Sequence, residues 1–141
     1  KKDVLGSDKQ YSFSITNSDS HSLHVFESVI DLLSYMTLLK RSGRDYLKDN
    51  YLSIAGATII GKSIQDSTVP IALETFLNNH PSITNLYLHL DNDRAGKDTT
   101  LKIMYHYEDK YNIIDEHPTK CKDFNDLLKM KVRLKKYCLI K

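Results

Sequence analysis

Two cysteines in 141 residues, Cys121 and Cys138, are too few for a disulfide framework or a cysteine-based zinc site. They suit a reducing, cytoplasmic setting. No apolar run approaches the ~20 residues that a membrane span needs, and no segment resembles a signal peptide. Tryptophan is absent, and five glycines and three prolines punctuate a chain without repeat, low-complexity segment or linker. Charge of one sign is lacking too: a formal net charge of +2 says little about partners. The six histidines form no Cys/His set with metal-ligand spacing. All six, including His21 and His24 near a strand, are read as structural or exposed.

What is present is the material of an ordinary domain. At 40% hydrophobic and 27% charged, the chain can bury a core and is not disordered in composition. It opens on Lys1-Lys2-Asp3 without an initiator Met, and we expect a single domain, residues 1–141, excised from a longer protein. Lys129, Lys131, Arg133, Lys135, Lys136 and Lys141 give the last stretch a basic bias. That bias could meet a phosphate backbone, but a solvated terminal face or a junction to the next domain is the preferred reading.

Strands and helices alternate. Residues 11–16 alternate apolar and polar side chains, as a half-buried strand or hairpin arm would. After the turn cluster Asn17-Ser18-Asp19-Ser20, Leu23-His24-Val25-Phe26 reads as a short strand ending at Glu27. Ser28 caps the following helix, with Asp31 three residues on. Val29, Leu32, Leu33, Met36 and Leu39 supply its apolar stripe, and Ser42-Gly43 ends it. Residues 51–55 form the next strand, leading to Gly56 and a loop containing Gly61 and Lys62. Thr68 caps a second helix, with Pro70 in its first turn, that runs to about Asn79. Leu86-Tyr87-Leu88-His89-Leu90 is a strand stopped by Asp91-Asn92-Asp93, and a helix follows from Ala95 to about Tyr107. Residues 112–114 make a further strand, and Asp123 caps a last helix from Phe124, with Asp126 three residues later. This order predicts one α/β domain: a small, mostly parallel sheet flanked by helices, with an N-terminal hairpin arm.

In such sheets ligands bind beyond the carboxyl ends of the strands. Glu27 ends one strand at that edge, and Asp91-Asn92-Asp93 ends another. Alternate side chains of an extended segment point the same way, so Asp91 and Asp93 can converge on one hard cation. Magnesium takes carboxylate oxygens at about 2.1 Å and keeps waters that phosphate oxygens can replace. Gly96 allows a tight entry into the next helix, whose N-terminus favours phosphate. Arg94 and Lys97 are candidates for steering an anion, and ordinary first-turn solvation explains them equally well. Alone, the Asp pair also fits a turn or an N-cap.

Together, Leu23-His24-Val25-Phe26-Glu27-Ser28, Leu88-His89-Leu90-Asp91-Asn92-Asp93-Arg94-Ala95-Gly96 and Lys122-Asp123-Phe124-Asn125-Asp126 resemble the Toprim domain in order and spacing, over about residues 22–128. Toprim domains occur in primases, type IA and type II topoisomerases and nucleases. The nearest likeness is to the primase-like branch of bacterial mobile-element and plasmid proteins. The resemblance implies a Rossmann-like sheet, with Asp91 and Asp93 holding Mg2+ (or Mn2+ in its place). Glu27 would serve as general acid or base, or as a third metal ligand. It also implies Asp123 and Asn125 as neighbours of the site, and Lys122 and Lys62 as candidate phosphate contacts, Lys62 by position only. Gly56 resembles the glycine after the second strand. Ser28 stands where many members have glycine, which bears on how closely a nucleotide or DNA backbone could pass.

The implied activity is metal-dependent nucleotidyl transfer or phosphodiester cleavage on nucleic acid, DNA first. Nucleoside triphosphate is a second candidate substrate, and flanking domains of a parent protein are candidate partners. None of the nine tyrosines is marked by its context as a topoisomerase nucleophile. A catalytically silent Toprim-like module that binds nucleic acid or docks neighbouring domains is the alternative. Haloacid-dehalogenase-type phosphatases also use Asp-x-Asp, but after their first strand. A receiver-type phosphoacceptor domain matches poorly for a similar reason.

Overall fold

A computed structural model describes residues 8–138, and the side chains of Lys9 and of Lys136 to Cys138 are outside that description. The opening Lys1-Lys2-Asp3 and Lys141 likewise lie outside the described residues. The strands are β1 (Ser14–Ile15), β2 (Ser22–Phe26), β3 (Asn50–Ser53), β4 (Asn85–His89) and β5 (Asn112–Asp115). The helices are α1 (Val29–Arg41), α2 (Ile71–Asn79), α3 (Arg94–Tyr107) and α4 (Phe124–Cys138). They build one five-stranded sheet in the order β1-β3-β2-β4-β5. Only β1 runs antiparallel, on β3; the β3-β2, β2-β4 and β4-β5 pairs are parallel. The predicted α/β class is therefore the observed one.

Both faces of the parallel strands are covered, which is why their sequences read as nearly continuous buried runs. Leu23, Val25, Leu52, Leu86 and Leu88 point to one face and meet Leu73, Phe76 and Leu77 of α2 and Ile103 of α3. The alternate residues Phe26 and Tyr51 point to the other, against Leu32 and Met36 of α1 and Phe124 of α4. On this second face His24 and His89 are buried in a stack with Phe26, Tyr51 and Tyr87. Of the two alternatives expected for the histidines, structural or exposed, these two are buried.

The chain leaves β2 through α1 to reach β3 on one side, then crosses through α2 to β4 on the other. Strand order therefore reverses at β2 and β4, and the crevice beyond their carboxyl ends is the ligand position of an open α/β sheet. Phe26 sits opposite His89 in the β2-β4 register. The next residues along the two strands are thus Glu27 on one side and Leu90, Asp91 on the other.

Several boundaries differ from those expected. Of residues 11–16 only Ser14–Ile15 is strand, and Tyr11 lies in a 3-10 turn. The arm pairs with β3 rather than folding back on its sequence neighbour β2, because β3 is the edge left open by the parallel sheet. The second long strand stops at Ser53, since Ala55 and Gly56 take positive φ angles of 56° and 115°. Helix α2 starts at Ile71, with Pro70 as a cap that offers no side-chain bond, so Thr68 does not cap it. A residue preceding proline resists helical torsions, which keeps Val69 outside the helix. By contrast Ser28 does cap α1, accepting from Asp31 N at 3.2 Å, and Gly43, at φ 73°, follows its end. Among the described residues no helix is long and apolar enough to cross a membrane.

Candidate metal and nucleic-acid site

Asp91 and Asp93 each reach one cation. The cation between them is a lysine ammonium: Lys122 Nζ lies 3.3 Å from Asp91 Oδ2 and 3.3 Å from Asp93 Oδ2. Lys122 is itself anchored, its carbonyl accepting from Asn92 N at 2.7 Å. The turn after β4 and the loop before α4 are therefore joined through main chain and side chain at once. Gly96 brings α3 into this turn. A Cβ at Gly96 would stand 2.0 Å from the Asp91 carbonyl oxygen, so only glycine permits the approach.

The two aspartates have different surroundings. Asp93 is the N-cap of α3, its Oδ1 accepting from Gly96 N at 3.0 Å. That bond, with help from Lys122, holds its carboxyl below the usual range. The N-cap reading of this residue is thus correct, and Asp93 Oδ2 still faces Lys122. Asp91 is only 7% exposed, and burial, reinforced by the charges of Asp31 and Asp123, raises its carboxyl against the opposing pull of Lys122.

Glu27 joins them from β2. Its carbonyl accepts from Gly56 N at 3.0 Å, so the loop after β3 is pinned to it. The Ala57 main chain lies close enough to its carboxylate to oppose the rise in its pKa, while Oε2 is buried without a hydrogen-bond partner among the described residues. Burial first, then the nearby Asp91, raises its pKa above the ordinary value. A buried carboxylate oxygen without a partner, with Asp91 and Asp93 near enough to raise its pKa, is a costly arrangement in the absence of a proton or a cation.

One site residue went unassigned in the sequence. Asp31 was read only as part of the α1 cap. It is buried at 7% exposure, takes the Ser28 hydroxyl on Oδ2, and accepts from Asn125 N at 3.1 Å on Oδ1. It thereby ties the start of α1 to the start of α4, and its charge reaches Asp91. The Ser28-x-x-Asp31 spacing was the only signal, and it is equally the signature of a plain cap. Asn125 meets Asp31 through its main chain. Asp123 caps α4, accepting from Asp126 N at 2.8 Å. Of the four candidate phosphate contacts only Lys122 is brought onto the carboxylates. Lys62 and Lys97 are exposed, and Arg94, also exposed, reaches Asp98 at 4.0 Å.

A sequence profile of the Toprim-like family matches residues 24–128, the span from β2 into α4 that carries every residue of this site. The chain belongs to the Toprim-like family. No curated protein matches it. The Toprim fold is generally a metal-binding, nucleic-acid-processing one, and its members typically bind Mg2+. The residues fit such an ion in two respects. Asp91 and Asp93 already direct one oxygen each at a single cation, and Glu27 Oε2 has a free acceptor site. Among the described residues no three Asp, Glu, His or Cys side chains stand close enough together to enclose a metal as a group. Magnesium does not require that, since it is commonly held by one or two carboxylates, with waters and phosphate oxygens completing its shell.

Proposed function

We propose that this Toprim domain performs Mg2+-dependent nucleotidyl transfer or phosphodiester cleavage on nucleic acid, DNA foremost, as one part of a DNA-processing protein. The observation that carries the reading is the convergence of Asp91 and Asp93 on one cation, with Glu27 near enough for Asp91 to raise its pKa. The primase-like look of Lys122-Asp123-Phe124-Asn125 supports placing that protein among mobile-element and plasmid primases, where a nucleoside triphosphate is the second substrate.

Magnesium held by Asp91 and Asp93 would neutralise charge developing on a phosphate and orient it. The remaining work belongs to the chain. Asp93, its pKa lowered by the Gly96 main-chain bond at the α3 N-terminus, keeps its charge to lower pH than an ordinary aspartate. Glu27, raised by burial and by Asp91, keeps its proton to higher pH than an ordinary carboxylate and can pass it from Oε2 to a leaving oxygen. Lys122 is placed to follow negative charge onto a phosphate once the aspartates have another counter-ion.

One observation favours a second reading, a module that binds nucleic acid without turning it over: Lys122 already pairs with both aspartates. Metal affinity separates the two. Titration with Mn2+, followed by electron paramagnetic resonance, should show one site in the wild-type chain and none in Asp91→Ala or Asp93→Ala, with circular dichroism unchanged. Equal Mn2+ affinity in all three chains would remove these residues from the site.

A further inference from the structure

The basic residues of α4 look like a solvated face in the sequence, but the fold pairs them with a second element. Helices α1 and α4 lie side by side and run in the same direction. Their starts are joined by the Asn125–Asp31 bond, and further along Leu38, Arg41 and Ser42 of α1 face Lys131, Leu134 and Lys135 of α4 across a groove of about 370 Å³. Among the described residues three cations rim this groove and no acidic side chain lines it. No ion pair engages Arg41, Lys131 or Lys135 among the described residues. Lys129, one turn earlier, is by contrast held by Asp126 at 3.2 Å.

We propose that this groove binds the phosphate backbone of the nucleic-acid strand whose reacting phosphate lies at Asp91 and Asp93. The direction follows from the helix axes. Both helices begin at the acidic edge, and at ~1.5 Å per residue Lys131 lies about 9 Å and Lys135 about 15 Å beyond Asn125. That is a reach of a few nucleotides along a strand that passes the acidic edge. The acidic edge repels a polyanion where no metal shields it, so attraction must come from elsewhere, and the unpaired rim of Arg41, Lys131 and Lys135 supplies it. Leu38 and Leu134 form an apolar floor, and no aromatic ring lines the groove among the described residues. It reads charge and spacing, not sequence.

The inference rests on the proposed reading of the acidic edge only for the strand's direction, and one experiment separates the two. Binding of a fluorescent 20-nucleotide single-stranded DNA is measured across a salt series with the 141-residue chain, and Mn2+ affinity is measured in parallel. Each phosphate contact adds about 0.7 to the log–log salt slope for single strands. Lys131→Gln/Lys135→Gln should therefore flatten the slope by roughly 1.4, and adding Arg41→Gln by roughly 2 in all. Lys48→Gln/Lys110→Gln, which removes the same charge as the double variant elsewhere, should keep the wild-type slope. All of these chains should keep wild-type Mn2+ affinity. Equal flattening in the Lys48/Lys110 chain, an unchanged slope in the groove variants, or no binding by the wild-type chain at low salt would overturn the groove. Loss of Mn2+ binding in the wild-type chain with a flattened slope in the groove variants would leave the groove standing and overturn the metal site.

Discussion

Lys122 stands 3.3 Å from Asp91 and bridges to Asp93 at the same distance, so the acidic pair of this Toprim domain has a tethered cation of its own. Repulsion between two neighbouring carboxylates is thereby relieved within the chain, and a divalent ion entering the pair must displace the ammonium.

That competition predicts the effect of Lys122→Met. Its divalent affinity should tighten by roughly two- to fivefold, in line with the ~0.2–1 kcal/mol of an exposed ion pair. The metal-free Tm should fall, because Asp91 and Asp93 then face each other unshielded. Calorimetric titration with Mn2+ and thermal melts with and without it read both effects. Weaker Mn2+ binding in this variant would mean that Lys122 cooperates with the metal instead.

Gly96→Ala should be among the most damaging small substitutions. Its Cβ would collide with the Asp91 carbonyl oxygen at 2.0 Å, and that oxygen belongs to main chain that cannot turn aside. Overpacking of this kind costs about 1–3 kcal/mol or more, a loss of roughly 5–10 °C in Tm. Because α3 must back away, Asp93 moves with it, so Mn2+ affinity should drop as well. A variant with wild-type Tm and affinity would show that the turn yields freely.

Glu27→Gln separates proton transfer from metal binding. It should keep Mn2+ and lose nicking or nucleotide incorporation in assays with labelled DNA, nucleoside triphosphates and Mg2+ or Mn2+. It also has a signature in stability. A carboxyl whose pKa is raised on folding stabilises the fold when protonated, and that contribution fades as pH rises through the folded value. The variant should therefore be more stable than the wild type at pH 7, with the gap closing as pH falls towards 4.5, the ordinary value for glutamate. Full activity in this variant would take Glu27 out of the mechanism.

The buried histidines give the opposite sign. His24 Nδ1 and His89 Nε2 are 2.7 Å apart, and burial lowers the pKa of both rings, for His89 well below 6.5. The folded protein holds them neutral, whereas the unfolded chain takes up protons below about 6.5. Stability contributed by the pair should be complete above that pH and lost as pH falls below it. His24→Phe/His89→Phe preserves the stacked ring shapes, so its melting temperature should fall less than that of the wild type between pH 7 and pH 5. Parallel pH profiles would show that other groups govern acid sensitivity.

Much of the architecture was legible from periodicity and caps. Alternation of short buried strands with amphipathic helices specifies a parallel α/β sheet, because each crossover has to cover a face of the strands it joins. The Ser28 and Asp123 caps, the Ser42-Gly43 stop and the Asp91-x-Asp93 pair are local features with local causes, and all appear in the fold. The arm at residues 11–16 was harder to place, since its partner is set by which sheet edge remains open, a property of the assembled sheet.

By itself, then, the sequence determined the fold class, the strand ends that carry carboxylates and the Toprim-like family, through spacing that acts over a few residues. Only the tertiary structure decided what surrounds those carboxylates. It put Lys122 between Asp91 and Asp93, left Glu27 Oε2 without a partner, buried Asp31 against the start of α4, and set Arg41 opposite Lys131 and Lys135. Each of these joins residues far apart along the chain, so its charge, burial and bonding depend on how whole elements pack, and no local pattern encodes that.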